Sequence, residues 1–349
     1  MDDTVAGEGE MTSSPAPAGS PAPPPATASA HARPARRLTV ASVGRFSTLI
    51  FLVAMVIYFG FAAPNFLTGQ NWLNILESAS ILGIIAAGLT VTLTMNDFDL
   101  SIGQVSSMSG MFAAGIAVTN GTAFGFLAGI GLGAAAGVAN GLAVTLLGAS
   151  AFIVTLGTSF VVEGIIFGYK SGSQVSFGIP NDFSNLGLGE ALGVKYLIWI
   201  WIAVSLVLMV VMHHTPLGRK MYAVGGNATA ARLSGISIQK TRFTAFAIAG
   251  VCSGFGGILL ASNLGTGNPL AGVGYLLEGF TVCFLGAATL RGGQFNIFGT
   301  FVGAIILRCL ENGLVIQGAS GSWQKIAKGM VLIAAVGITG VLRRSSQRA

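Results

Sequence analysis

Long apolar segments separated by short polar ones fill the chain from residue 46 onward. A membrane-spanning helix needs about 20 mostly apolar residues to cross the hydrocarbon core of a bilayer. Ten segments meet that requirement: 46–63, 72–95, 101–119, 122–147, 150–170, 195–213, 243–262, 274–290, 295–314 and 322–342. The pattern predicts an all-α polytopic membrane protein with about ten transmembrane helices.

The composition agrees with a lipid environment. Hydrophobic residues make up 52% of the 349 residues and charged residues only 9%, whereas soluble domains carry about 25% charged residues. The net charge of +6 does not indicate nucleic acid, because no basic stripe with interleaved aromatic residues is present. The three cysteines lie in apolar segments without ligand spacing, so we expect them to pack as small hydrophobes and to bind no metal.

Both termini differ in composition from the apolar region. Residues 1–45 contain seven of the eleven prolines and little to bury, which predicts a disordered Pro/Ala-rich cytoplasmic tail. Residues 343–349 are predicted to form a basic cytoplasmic tail, and 46–342 the transmembrane domain. With both termini in the cytoplasm, 13 Lys and Arg residues fall inside and four outside. The positive-inside rule therefore predicts this orientation.

Small residues recur every four positions along the fourth predicted span. That spacing lets neighbouring helices approach closely, either as tight static packing or as a sliding contact. The glycines concerned are Gly125, Gly129, Gly133, Gly137 and Gly141.

The sequence also contains a faint internal repeat. Asn140-Gly141-Leu142 is followed by Gly148-Ala149-Ser150, and Asn312-Gly313-Leu314 is followed by Gly318-Ala319-Ser320. These pairs lie five predicted spans apart, and an odd offset gives an inverted repeat, a common transporter architecture. A competing alignment of 99–103 with 295–299 implies a different offset.

Polar residues interrupt the apolar pattern between the second and third spans, in MNDFDLSIG (Met95 to Gly103). This segment could be a simple turn in which Asp99 or Ser101 caps the next helix. It could also be a broken helix whose irregular backbone lines a cavity. On the second interpretation, the candidate translocation path comprises Asn96, Asp97, Asp99, Ser101, Gly103 and Asn268.

Charged residues also map to the predicted outer halves of several spans and to the longest outer loop, 171–194. They could form a polar mouth or a docking face, or their side chains could extend to the lipid headgroups. Arg308 and Glu311 lie three residues apart on one span, so we expect them to pair. The candidate docking residues are Asp182, Glu190, Lys195, Glu278 and Lys325.

One long polar insert, His213 to Arg242, holds five of the 18 Lys and Arg residues. Gly225-Gly226 is predicted to break the chain and Asn227 to cap a short helix, ATAARL, which Gly235 stops. A polar, helix-prone insert between membrane spans indicates a docking surface.

Several motifs resemble the membrane permeases of ribose/xylose-type ABC sugar importers. They are LGRKMYAVGGNATAARLSGI (Leu217 to Ile236), PNFLTGQNWLNIL (Pro64 to Leu76), FDLSIG (Phe98 to Gly103), AFIVTLGT (Ala151 to Thr158) and IPNDF (Ile179 to Phe183). They occur in the family's order, and the resemblance covers roughly residues 46–342. It implies a type II importer-like permease.

The resemblance also implies partners and a coupling surface. The expected partners are a second permease copy, a cytoplasmic ABC ATPase that binds ATP and Mg, a periplasmic or extracellular sugar-binding protein and a monosaccharide or polyol substrate. The coupling surface lies within 214–242. Its expected residues are Gly218, Arg219, Gly225, Gly226, Asn227, Ala231, Arg232, Leu233 and Gly235.

The chain has no GxxxxGK[ST] motif, so we expect it to bind no nucleotide and to be no enzyme. If ATP drives transport, a partner subunit must hydrolyse it. An ion-coupled secondary carrier is the alternative, although no mid-membrane carboxylate indicates an ion carrier. An intramembrane enzyme would need a catalytic constellation that the spans do not show.

Overall fold

A computed structural model describes residues 36–288 and 293–347, and the side chains of 48–288 and 293–340. Within those ranges the chain forms 13 α-helices, a short 3₁₀ turn at Tyr169–Gly172 and one β-hairpin whose two strands have two residues each. The elements are α1 (Arg36–Ala62), α2 (Gly69–Leu93), α3 (Ile102–Asn120), α4 (Thr122–Leu146), α5 (Ala151–Gly168), α6 (Asn181–Leu188), β1 (Glu190–Ala191), β2 (Val194–Lys195), α7 (Tyr196–His214), α8 (Pro216–Gly226), α9 (Ala228–Leu233), α10 (Ile238–Leu264), α11 (Val273–Ala287), α12 (Ile297–Ile316) and α13 (Gly321–Gln347).

The predicted spans coincide with the long helices. Each of the ten apolar segments overlaps one helix among α1–α5, α7 and α10–α13. Seven helices in the described part of the chain are long and apolar enough to cross a membrane: α2, α3, α4, α5 with its 3₁₀ turn, α7, α10 and α12. The all-α polytopic fold is therefore confirmed, and the count of ten spans stays a prediction.

The helices at both chain ends extend beyond their predicted limits. α1 begins at Arg36, before the predicted start at residue 46, and α13 continues to Gln347. The helical limits thus extend beyond the predicted spans, and the division into two cytoplasmic tails and a transmembrane domain stays a prediction. Residues 1–35, 289–292 and 348–349 lie outside the described residues, and with them Arg291 and most of the predicted N-terminal tail.

Side-chain contacts define two ends of the helix bundle. At one end, which carries α8 and α9, the α2–α3 connection contacts α8 through Asn96 and Gly225. At the other end, the start of α2 contacts the end of α12 through Asn71 and Asn312, at 2.9 Å. We refer to them as the α8–α9 end and the far end.

α2, α3 and α10 form the buried centre of the bundle. α2 carries an almost continuous buried run from Ala79 to Leu93, as expected of a helix that packs on all sides. Trp201 of α7 is fully buried and stacks on Phe301 of α12 with ring centroids 4.0 Å apart. α4, α5 and α7 instead leave large apolar side chains exposed, including Leu127 and Phe160, as a lipid-facing surface would.

The five glycines of α4 face α3 and α10 across very short distances. A Cβ atom built on Gly133 would lie 2.6 Å from the carbonyl oxygen of Gly250 on α10. A Cβ on Gly141 would lie 3.1 Å from Phe243. Gly125, Gly129 and Gly137 also have backbone or side-chain atoms of α3 or α10 within 3 Å of that position. The small-residue face therefore brings helix backbones together, as packing in lipid favours.

The two copies of the internal repeat lie at opposite ends of the bundle. Asn140 hydrogen-bonds Ser101 at the α8–α9 end, whereas Asn312 hydrogen-bonds Asn71 at the far end. Both copies continue into a glycine with positive φ, +62° at Gly148 and +76° at Gly318. This arrangement is what an inverted repeat requires. The competing alignment pairs the starts of α3 and α12, which lie at the same end.

Candidate functional site

The polar insert folds as two short helices, α8 and α9, joined at Asn227. Pro216 lies in the first turn of α8. Backbone N–H groups in a first turn have no partner within the helix, so the missing N–H of proline costs no hydrogen bond there. Gly225 and Gly226 belong to the last turn of α8, so the predicted break at these glycines is corrected to Asn227. Asn227 has an extended backbone, with φ −156° and ψ 102°.

α9 has a well-defined cap at each end. The Asn227 side-chain oxygen accepts from the N–H of Ala230 at 3.0 Å, the N-cap bond that the sequence predicts. At the other end Gly235 has φ +80°, and the N–H of Ile236 donates to the Ala231 carbonyl at 3.0 Å. This left-handed glycine and its backbone bond form a Schellman ending. The two caps give a six-residue helix a fixed orientation.

The predicted coupling residues divide into an exposed and a buried group. Arg219, Gly226, Asn227, Arg232, Leu233 and Gly235 are exposed, and Leu233 is 85% exposed. Gly218 and Ala231 are buried, because Gly218 packs on the end of α7 and Ala231 lies on the inner face of α9. Gly225 is partly buried against Thr94. Packing therefore shields Gly218 and Ala231 from direct contact with a partner, and the coupling role of the whole set stays a prediction.

The turn between α2 and α3 lies directly beneath α8. Asn96, with φ +60°, donates from Nδ2 to the Gly225 carbonyl at 2.9 Å. Asp97 forms an ion pair with Arg242, near the start of α10, at 2.8 Å. Together these contacts connect the turn to α8 and α10, the helices on either side of α9.

Burial raises the pKa of Asp97 from 3.8 to about 6, although the Arg242 guanidinium acts in the opposite direction. Burial also raises the pKa of Asp99, which hydrogen bonds from Ser101 partly offset. Both carboxyl groups are therefore easier to protonate than ordinary surface carboxylates.

Asp99 and Ser101 organise the irregular backbone before α3. One Asp99 oxygen accepts from the Ser101 N–H at 2.9 Å and from the Ser101 hydroxyl at 2.6 Å. The Ser101 hydroxyl accepts from Asn140 Nδ2 at 2.9 Å. Thr155 of α5 donates to the Phe98 carbonyl and accepts from the Leu100 N–H. Thr155 completes this network, and no sequence signal had distinguished it from other threonines in apolar spans.

These bonds favour the turn interpretation of the segment. Asp97, Asp99 and Ser101 are each no more than 4% exposed, and Gly103 packs on Gly272 with no room for a side chain. Asn268 lies in the α10–α11 connection and accepts from the N–H of Leu270 at 2.8 Å. Of the predicted path residues, Asn96 and Asn268 retain exposed surface, and packing buries the other four. The role of this set in a translocation path stays a prediction.

Four charged side chains form a closed network at the far end. Glu278 of α11 lies between Arg308 and Lys328, at 2.8 and 2.6 Å. Glu311 also contacts both bases, Arg308 as the sequence predicts and Lys328 at 2.7 Å. Two acids and two bases thus join α11, α12 and α13 without net charge.

The network changes the predicted docking face. Glu278 is only 16% exposed and is already paired, so it offers a docked partner little surface, and its docking role stays a prediction. Asp182, Glu190 and Lys325 are exposed and Lys195 is half-buried. Lys195 pairs with Glu190 across the β1–β2 hairpin at 2.8 Å. Docking stays a prediction for these four residues.

Comparison with known proteins supplies the family. A model described as the permease component of branched-chain amino acid transport systems matches residues 71–336. The ribose import permease of Escherichia coli (strain K12) is 36% identical over 305 residues, which are 86% of this chain and 95% of the relative.

Other similar proteins carry related names. The L-arabinose ABC transporter permease of Azospirillum brasilense is 32% identical over 302 residues, 86% of this chain and 88% of the relative. The D-allose transport system permease of Escherichia coli (strain K12) is 30% identical over 303 residues, 86% and 93% of the two chains. No solved structure matches the chain. The resemblance inferred from the motifs is confirmed, and the chain belongs to the family of permease components of branched-chain amino acid transport systems.

Proposed function

We propose that this chain is the membrane permease subunit of an ATP-driven importer for a monosaccharide or related polyol. It lies in the bacterial inner membrane with both termini in the cytoplasm, so that the α8–α9 end faces the cytoplasm and the far end faces outward. A second copy completes the permease, a cytoplasmic ABC ATPase with ATP and Mg drives it, and a soluble sugar-binding protein delivers the substrate. The names of the ribose, L-arabinose and D-allose permeases support this assignment.

The observation that carries the proposal is the solvent-exposed face of α9. Leu233 is 85% exposed and Arg232 lies beside it, on a helix whose two ends are capped and whose inner face is fixed by Ala231. An apolar and a cationic side chain exposed together on a helix of fixed orientation offer a partner protein both an apolar and a charged contact. A cytoplasmic ATPase is the partner that this family requires at such a site.

The geometry also supports a route for mechanical coupling. α8 continues from α7 after a single residue, Thr215, and α9 is joined to α10 by four residues. A displacement of α8 and α9 by the ATPase would therefore move α7 and α10 as semi-rigid bodies. Such rocking of helices switches access between the two membrane faces.

The test is ATP-dependent uptake in liposomes that contain the permease, its co-purified ATPase and the binding protein. Radiolabelled D-ribose, L-arabinose and D-allose serve as substrates. Leu233→Asp and Arg232→Glu should abolish uptake and release the ATPase while membrane insertion is unchanged. Lys240→Glu is the matched control, because it makes the same charge change at an exposed site of the same end, outside α9.

Two results would contradict the proposal. Uptake that continues without ATP and collapses with an uncoupler would instead indicate an ion-coupled carrier. Normal ATP-dependent uptake by both α9 variants would show that α9 is not the coupling surface.

A further inference from the structure

A polar cleft of about 360 Å³ opens at the far end, between α2, α10, α11 and α12. Its floor is apolar and includes Ile75, Ile81 and Leu260. Its walls carry polar side chains from all four helices. These are Asn74, Ser78, Asn263, Tyr275, Arg308 and Asn312. Small-molecule sites are typically concave, largely apolar cavities of about 300–1,000 Å³ with a few convergent polar groups, so the cleft has the size of a site for one small ligand.

Much of the hydrogen-bonding capacity of the cleft is unused. Among the described residues, the side chains of Ser78, Asn263 and Tyr275 have no hydrogen-bond partner. Asn74 accepts one bond, from Gln70 at 3.3 Å, and its own amide N–H groups stay available. Hydroxyl and carboxamide groups both donate and accept. The walls therefore offer the mixture of donors and acceptors that a ligand rich in hydroxyl groups requires.

The charged residues of the cleft are internally balanced. Arg308 and Glu311 line it, but Arg308 is shared between Glu278 and Glu311, and Lys328 contacts the same two acids. No unpaired charge from this network faces the ligand. A cleft with polar walls and balanced charge favours a neutral solute over an anion or a cation, since an ionic ligand would need a counter-charge when it leaves water.

We propose that this cleft receives the monosaccharide on its way through the chain, with Ser78, Asn263 and Tyr275 bonding to sugar hydroxyls. The inference rests on the proposed function and deepens it, because it places the sugar in a cleft within one permease chain. It also differs from the path predicted from the sequence, whose residues other than Asn268 lie toward the α8–α9 end and are largely buried. The sugar would meet the cleft first, since the far end faces outward under the proposed orientation.

Cysteine substitution tests the cleft directly. Cys252, Cys283 and Cys309 are buried, so background labelling by a membrane-impermeant methanethiosulfonate should be low. Ser78→Cys and Asn263→Cys are introduced into the full transporter in liposomes. Ser320→Cys and Gln317→Cys are the matched controls, because both residues are exposed at the same end and do not line the cleft. ATP-dependent uptake of D-ribose, L-arabinose and D-allose is measured before and after labelling.

We expect labelling at positions 78 and 263 to block uptake and labelling at 317 and 320 to leave it unchanged. The unlabelled variants Ser78→Ala and Asn263→Ala should raise the KM for sugar uptake by about two- to tenfold each, with a smaller change in kcat. A purely structural role would lower kcat or assembly instead of raising KM.

The outcomes separate the two proposals. If the unmodified transporter takes up none of the three sugars with ATP, the proposed function fails and the cleft assignment fails with it. If it transports sugar and labelling at 78 and 263 has no effect, only the cleft assignment is overturned. Equal inhibition at the control positions would also overturn it, because the effect would then come from the far end as a whole.

Discussion

Asn96 donates a hydrogen bond from its side-chain amide to the backbone carbonyl of Gly225, across 2.9 Å. The two residues are 129 positions apart and belong to different connections. Asn96 lies between two helices of the buried centre, and Gly225 lies in the last turn of α8. The bond thus connects the surface expected to receive the ATPase with the turn that positions α3. We expect movement of one to displace the other.

Asn96→Gly should weaken this connection without straining the backbone, because glycine also adopts the φ of +60° that Asn96 has. Loss of one hydrogen bond costs about 0.5–1.5 kcal/mol. We expect ATP-dependent sugar uptake to fall about two- to tenfold while the ATPase stays bound and continues to hydrolyse ATP. Sugar uptake and ATP hydrolysis are measured on the same liposomes. The number of sugars taken up per ATP hydrolysed should be lower in Asn96→Gly than in the unmodified protein.

The matched control for that prediction is Asn65→Gly. Asn65 also has φ +60°, but it is exposed at the far end, away from α8 and α9. Its replacement should leave the ratio of uptake to hydrolysis unchanged. An equal loss in both variants would assign the effect to backbone flexibility and contradict the coupling role of Asn96.

The burial of Asp97 should make the stability of the protein depend on pH. Burial raises the pKa of Asp97 to about 6, above the 3.8 of an unfolded chain. The folded protein therefore binds this proton more tightly than the unfolded chain does. The resulting stabilisation is fully present below about pH 4 and is lost as the pH rises through about 6. Its upper limit is about 3 kcal/mol, from the difference between the two pKa values.

Asp97→Asn removes that titration. We expect the thermal midpoint of the detergent-solubilised variant to vary less between pH 4.5 and about 7 than that of the unmodified protein. Asp182→Asn, at an exposed position, serves as the control and should retain the normal pH profile. Identical profiles for Asp97→Asn and the unmodified protein would show that Asp97 does not titrate in this range.

Gly133→Val tests the contact between α4 and α10. A Cβ atom at Gly133 would lie 2.6 Å from backbone atoms of Gly250 and Gly254, which cannot move aside as a flexible side chain can. Overpacking of this kind costs about 1–3 kcal/mol, so the thermal midpoint should fall. Gly131→Val, two residues away on the same helix, should have little effect because no atom lies within 4 Å of its Cβ position. Equal midpoints would contradict close backbone packing.

Hydropathy and capping signals predicted much of this structure because they depend on local sequence. The apolar segments located the long helices, Asn227 and Gly235 marked the ends of α9, and the glycine spacing identified the packed face of α4. Contacts between distant segments left no comparable signal. Glu278 looked like an exposed outer residue because its partners lie on other helices, and Asp97 looked like a path residue because Arg242 is far away in the sequence.

The far-end ion network gives the last prediction, which concerns charge balance. Glu278→Gln leaves Arg308 and Lys328 to share Glu311, so one partly buried positive charge is uncompensated. Removing one partner of a buried pair costs about 3–5 kcal/mol. Adding Lys328→Met restores neutrality and should recover most of that loss, although it removes another ion pair. Glu278→Gln should therefore lower the thermal midpoint more than the double variant Glu278→Gln/Lys328→Met does.

A double-mutant cycle separates this account from simple loss of contacts. The cycle comprises the unmodified protein, Glu278→Gln, Lys328→Met and the double variant, compared by thermal unfolding in one detergent. If only lost contacts mattered, the double variant would be less stable than Glu278→Gln, because it also loses the contact between Lys328 and Glu311. We expect the double variant to be more stable than Glu278→Gln. The side chains of this site are only 10–26% exposed, so an uncompensated charge dominates the loss of stability.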